Sequence, residues 1–151
     1  MKSIVALILA ASAASFATPS MAQFAKPEDA VKYRQSAMTL MSAHLGRLGA
    51  MATGKVPFDA KQAADNAAVV EFVSKLPWAG FVEGSEKVGN TRALPEIWSQ
   101  SAKFKETSDK LVSEAAKLNA AVKVGTLDSL KGAIGGVGGT CKSCHDNFRA
   151  N

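Results

Sequence analysis

Thr140 to Asn151 reads TCKSCHDNFRAN, with Cys141 and Cys144 three residues apart and His145 directly after the second thiol. Three chemistries use such residues. A zinc site needs about four ligands, usually Cys and His. The other histidine is His44, and the neighbours Cys144 and His145 on a regular helix close poorly around one tetrahedron with Cys141. A dithiol oxidoreductase carries its CxxC at the start of a helix that follows a strand, where the helix dipole lowers the first thiol's pKa. No strand pattern precedes this pair, and a place near a helix C-terminus raises a thiol pKa instead. Covalent haem attachment uses every residue: two thiols one turn apart can take the two vinyl groups as thioethers, and the adjacent imidazole can bind iron. His145 is then the metal ligand.

The elements that must position these residues read as helices throughout. Pro27-Glu28-Asp29 opens the first, with proline in the first turn and two acids favouring the N-terminal dipole. Its stripe, Val31, Arg34, Met38, Met41, Leu45 and Leu48, alternates spacings of three and four, with Arg34 the one polar intruder. Asp59 is the expected N-cap of a second helix that runs to Leu76, where Pro77 stops it. From Pro77 to Leu94 the chain is glycine-punctuated and aperiodic, a long loop of the kind that serves a site. Pro95-Glu96 starts a third helix with the stripe Phe104, Ser108, Leu111, Ala115, Leu118 and Val122, closed by Gly125.

A fourth helix carries Leu127, Leu130, Ile134, Val137, Cys141, Cys144 and Phe148 on one seam, which puts both thiols on its buried side. It also contains Gly132, Gly135, Gly136, Gly138 and Gly139. Each interior glycine costs roughly 0.5 to 1 kcal/mol against alanine. Either another backbone or a flat ligand approaches closely there, or the helix frays from 135 to 139.

Arg34 raises a separate question. A buried guanidinium calls for an anion, and a haem propionate is one; an arginine that reaches solvent at the end of the bundle is the other reading. Arg149, four residues after His145, shares its helix face or else simply favours the helix dipole. Trp78, Phe81 and Trp98 are expected to pack the bundle and the haem edge, though core packing alone would account for all three, and His44, one residue off the seam, is expected at the surface.

The chain has 151 residues, with 18 Lys and Arg against 13 Asp and Glu. These charges are scattered, so neither a nucleic-acid patch nor an acidic tail is visible. Residues 1–22 read as a signal peptide: Lys2, an apolar run from Ile4 to Ala11, and Ser20-Met21-Ala22 before a cut ahead of Gln23. An uncleaved anchor is the alternative, but a spanning helix needs about 20 apolar residues and this run is shorter. Residues 23–151 then form one domain, exported to the periplasm and free of the membrane. Export suits the haem reading, because c-type haem is attached outside the cytoplasm.

The position of CKSCH near the end of the chain, together with QFAKPEDAVKYRQSAMTLM, LPWAGF, PEIW and CKSCHDNFR, resembles the class II cytochromes c, and within them the cytochrome c′ family. The resemblance covers the whole of 23–151. It implies an all-α antiparallel four-helix bundle with one haem c bound covalently through Cys141 and Cys144. It further implies that Arg34 and Gln35 contact the haem, that Thr91 approaches a propionate, and that Arg149 stands beside the proximal histidine. Met38 matches the distal position, where cytochrome c′ places a noncoordinating apolar side chain and low-spin relatives place a methionine ligand; Met41 is one turn away.

The expected function is therefore a periplasmic, high-spin, five-coordinate haem protein that transfers one electron and binds nitric oxide and carbon monoxide, with no enzyme activity. The alternative is a six-coordinate electron carrier with Met38 on the iron, and the distant one a haemless thiol oxidoreductase. Covalently bound haem separates the first two from the third. The family's two-fold dimers form through the first two helices, and Ala60, Ala63, Ala64, Ala67 and Ala68 would let a partner approach closely or else pack inside the bundle.

Overall fold

The structure, a computed structural model, describes residues 23–150; the leader expected over 1–22 lies outside the described residues. Four long helices, α1 (Pro27–Ala52), α2 (Ala60–Val73), α4 (Ser101–Val122) and α5 (Leu127–Phe148), form a four-helix bundle with a one-turn helix, α3 (Glu96–Ser99), before α4. Each long helix packs on two others in the cycle α1, α2, α4, α5.

The cause is the periodic stripes. Met41 and Leu48 of α1, Val70 of α2, Leu111 and Leu118 of α4, and Leu130 and Val137 of α5 fall on inward faces and meet in one core. Asp59 and Gly125 cap where expected, and Thr126 adds a cap that the sequence reading does not single out. Asp59 accepts the Gln62 amide at 2.9 Å, Thr126 accepts that of Ser129 at 3.2 Å, and Gly125 turns the chain out of α4 at φ 79°.

Several expectations are corrected. The second helix stops at Val73 rather than Leu76, and Pro77–Gly80 forms a separate 3-10 turn inside the stretch expected to be irregular. Proline lacks an amide hydrogen, so a new turn can start there but the old helix cannot continue through it. The third expected helix is two pieces, broken at Gln100 (φ −119°, ψ 44°). α5 is helical from 127 to 148, so its glycines do not fray it. Only at Gly136 does a neighbour press close, where an added Cβ would run into the Glu114 carboxylate; at Gly132, Gly135, Gly138 and Gly139 it would meet nothing within 4 Å. Nothing in the protein's own contacts explains those four.

His44 is half-buried rather than at the surface, its Nδ1 2.8 Å from Oδ1 of buried Asn66 between α1 and α2. Of the five alanines on α2, Ala63 and Ala67 are fully buried in the core, Ala64 is half-buried, and Ala60 and Ala68 are exposed.

Candidate haem site

A cleft of about 440 Å³ opens where α1, α5, the Pro77–Gly80 turn and the following loop meet. Its size lies within the roughly 300–1,000 Å³ typical of cofactor sites. Arg34, Gln35, Met38, Thr91, Cys144, His145 and Arg149 all line it. Cys141 does not; it lies one turn deeper, half-buried against the core. Met41 is 3% exposed and belongs to the core, so Met38 is the methionine that α1 offers to the cleft.

Aromatic rings build the apolar wall. Trp78 stacks on Phe81 at 6.3 Å, and Phe104 stands edge-on to Phe81 at 4.9 Å and to Phe148 at 5.3 Å. The Trp78 indole donates to the Ser74 carbonyl at 2.7 Å, which fixes its ring with the polar atom satisfied. Phe104 and Phe148 were legible as seam residues, but their exposure to the cleft was not. Trp98 is not part of this wall.

The polar edge is organised by Arg34, 3% exposed and therefore not reaching solvent. Nη1 donates to the Gly80 carbonyl and the Ser85 hydroxyl, each at 2.8 Å. Nη2 donates to the Ser85 carbonyl at 2.9 Å and the Thr91 hydroxyl at 2.8 Å. These four partners are neutral oxygens, which can satisfy a guanidinium fork when they converge on it, so burial alone does not require an anion here. The Phe81 ring lies 4.5 Å from its Cζ and adds a cation–π contact. Burial holds its pKa below the ordinary arginine value, opposed by the charge of Glu86.

The same loop is tied down by Gln35, whose side-chain amide donates to the Asn90 carbonyl at 2.9 Å. Gly80 is required where it stands, because an added Cβ would lie 2.7 Å from the Ala30 carbonyl oxygen and 2.9 Å from the Arg34 Cβ. Gly80 stood out only as part of the LPWAGF stretch, and Ser85 carried no sequence signal beyond its place in an aperiodic segment.

On the other wall, both thiols are free and half-buried. Burial raises the Cys144 pKa to about 11, with the Cys141 charge adding and Arg149 opposing; burial also raises that of Cys141. Neither is poised as a reactive thiolate, which weighs against redox exchange. Among the described residues no group of three His, Cys, Asp or Glu side chains could hold a metal ion, which weighs against zinc.

Burial lowers the His145 pKa, helped by the charges of Arg149 and Arg92 and opposed by Asp146. The imidazole is therefore held neutral, the form that ligates a metal. Arg149 reaches this neighbourhood by a route the sequence did not show. α5 ends at Phe148 and Arg149 is extended (φ −131°, ψ 130°), so the two residues do not share a helix face.

A family model described as cytochrome c′ matches residues 29–149. The chain belongs to the cytochrome c′ family. It is 51% identical to the cytochrome c′ of Rubrivivax gelatinosus over 127 residues, which span 84% of this chain and 98% of the relative. The crystal structure of cytochrome c′ from that organism superposes with a TM-score of 0.82, covering 85% of this chain and 100% of the other. A nitric oxide complex of a mutant cytochrome c′ from Alcaligenes xylosoxidans, 47% identical, gives 0.79 and covers 85% of this chain and 99% of the other.

Cytochromes c′ carry haem c on two cysteines, and here the thiols are Cys141 and Cys144. The residues fit that group. Two unpaired thiols stand one turn apart, the imidazole beside them faces a cleft of cofactor size with an aromatic wall, and Arg34, Gln35 and Thr91 supply a polar edge.

Proposed function

We propose that this cytochrome c′ family member is a periplasmic protein whose haem iron, bound by His145, is five-coordinate and high spin, exchanges one electron, and binds nitric oxide and carbon monoxide. Residues 1–22 are the export leader and 23–151 the working domain; among the described residues no helix is long and apolar enough to cross a membrane. The reading is of a binding and electron-transfer protein, not an enzyme.

One observation carries it: the chain belongs to the cytochrome c′ family, whose distal side chain does not coordinate, and Met38, not Met41, stands at that position in the cleft. When bound, the haem iron supplies a one-electron couple and a coordination position for a diatomic gas. The chain's residues do the rest. His145, kept neutral, offers its ring nitrogen. Arg34, Gln35 and Thr91 would set the polar edge for the propionates, while the aromatic wall keeps water from the cleft. Arg149 places a positive charge beside His145. The nitric oxide complex of the Alcaligenes relative supports gas binding.

The competing reading puts the Met38 thioether on the iron, and substitution separates the two. If Met38 only blocks the distal side, a gas must displace a packed side chain, and Met38→Ala removes that cost. Burying a methionine side chain is worth about 1.5–3 kcal/mol, so carbon monoxide association measured by stopped flow should speed up on the order of tenfold to a hundredfold. An unchanged rate would remove Met38 from its gating role.

The protein is further proposed to act as a homodimer through α1 and α2, with its redox partner unnamed. Leu40 on α1 and Phe72 on α2 are exposed at 47% and 66%, and the small, exposed Ala68 lies one turn before Phe72. Sedimentation velocity at high micromolar concentration should show a dimer. A monomer throughout would contradict it.

A further inference from the structure

Arg149 caps α5: its amide still donates to the His145 carbonyl at 3.1 Å, but its extended φ and ψ take the side chain off the helical path. Further contacts fix it at the cleft. Its two neighbours are both fixed to the loop before α3. The Leu94 amide donates to the Phe148 carbonyl at 3.0 Å, and the Ala150 amide donates to the Arg92 carbonyl at 2.8 Å, with Ala93 and Arg149 paired between them as an antiparallel bridge.

Arg92 then closes the clasp with its side chain. Its Nε and Nη2 both donate to the Ala150 carbonyl, at 3.0 and 2.9 Å. A guanidinium fork on one carbonyl is charge-assisted and directional. The loop end of the clasp is itself anchored: Thr91, next to Arg92, holds the Arg34 guanidinium on α1, and its hydroxyl also accepts the Ala93 amide at 3.1 Å.

We propose that Arg92 is a positioning residue that sets Arg149 beside His145 by clamping the backbone of Ala150. The clamp stands on its own geometry; its effect on gas binding rests on the role given to Arg149 above. Arg92 also carries a charge that reaches His145, so the test must separate clamp from charge. Lysine keeps the charge and gives up the fork.

The haem-bearing protein and its Arg92→Ala, Arg92→Lys, Arg149→Ala and Arg92→Ala/Arg149→Ala variants are compared by two readouts. In the first, amide hydrogen exchange at Ala150 and Leu94 should accelerate about tenfold or more in Arg92→Ala, with Arg92→Lys closer to it than to the unmodified protein. Unchanged exchange at Ala150 in Arg92→Ala overturns the clamp. In the second, the fraction of five-coordinate iron in the ferrous protein under nitric oxide is read by resonance Raman. Arg92→Ala and Arg149→Ala should shift it in the same direction, and the double variant should match Arg149→Ala alone.

Additive shifts, or an Arg92→Lys protein that behaves as unmodified while Arg92→Ala does not, assign Arg92 a charge role and overturn positioning. If Arg149→Ala leaves the nitric oxide readout unmoved while Ala150 exchange still accelerates in Arg92→Ala, the clamp holds. What fails then is the role of Arg149.

Discussion

Replacing Arg34 by alanine will destabilise the haem-bearing protein by about 3 kcal/mol and lower its thermal midpoint by on the order of 10 °C. The reason is how many groups depend on one side chain. Arg34 is 3% exposed and donates to the Gly80 carbonyl, both oxygens of Ser85 and the Thr91 hydroxyl. Alanine leaves these acceptors facing a cavity, and an acceptor stripped of its partner costs more than the bond was worth when made. Ser85 is fully buried and cannot turn to water.

The damage should concentrate in residues 81–95, because α1 holds that loop through Arg34 and Gln35. Lysine should not rescue the loss: an ammonium is a point donor on a flexible stem and cannot span Gly80, Ser85 and Thr91 together. Thermal unfolding followed by far-ultraviolet circular dichroism checks the prediction. A midpoint within a degree or two of the unmodified protein would show that the loop is held by something other than Arg34.

The contrast between Arg34 and Arg149 shows what could be read from the sequence. Arg34 betrayed itself by breaking an otherwise apolar stripe, and it is buried as that break implied. Its partners could not be foreseen, because Gly80 and Ser85 belong to a segment with no period, whose path is set by tertiary contact with α1. Arg149 was placed by helical spacing, and the spacing failed where the helix ended, three residues from the end of the chain. Periodicity reports on residues inside a regular element and is silent one residue past it.

The same limit explains the other differences. The stripes of α1, α4 and α5 were legible because each buries a continuous face, and Asp59 and Gly125 were legible because caps have local chemistry. The break at Gln100 has no such signature. Arg92 went unnoticed for a similar reason, since its clasp with Ala150 joins residues 58 apart in sequence. His44 was misplaced because Asn66, its partner, sits on another helix.

Met38 is proposed to shield the iron without binding it. Met38 lines the cleft from α1 and His145 lines it from α5, so different helices of the bundle would offer the two side chains to the iron. An iron held by His145 alone keeps a weak ligand field, and its ferrous form stays high spin and paramagnetic; adding the Met38 thioether would strengthen the field and pair the electrons. The magnetic susceptibility of the ferrous haem-bearing protein near neutral pH separates these states directly. Paramagnetic iron in the unmodified protein, unchanged by Met38→Ala, is the predicted result. Diamagnetic iron that becomes paramagnetic in Met38→Ala would contradict the account and make Met38 the sixth ligand.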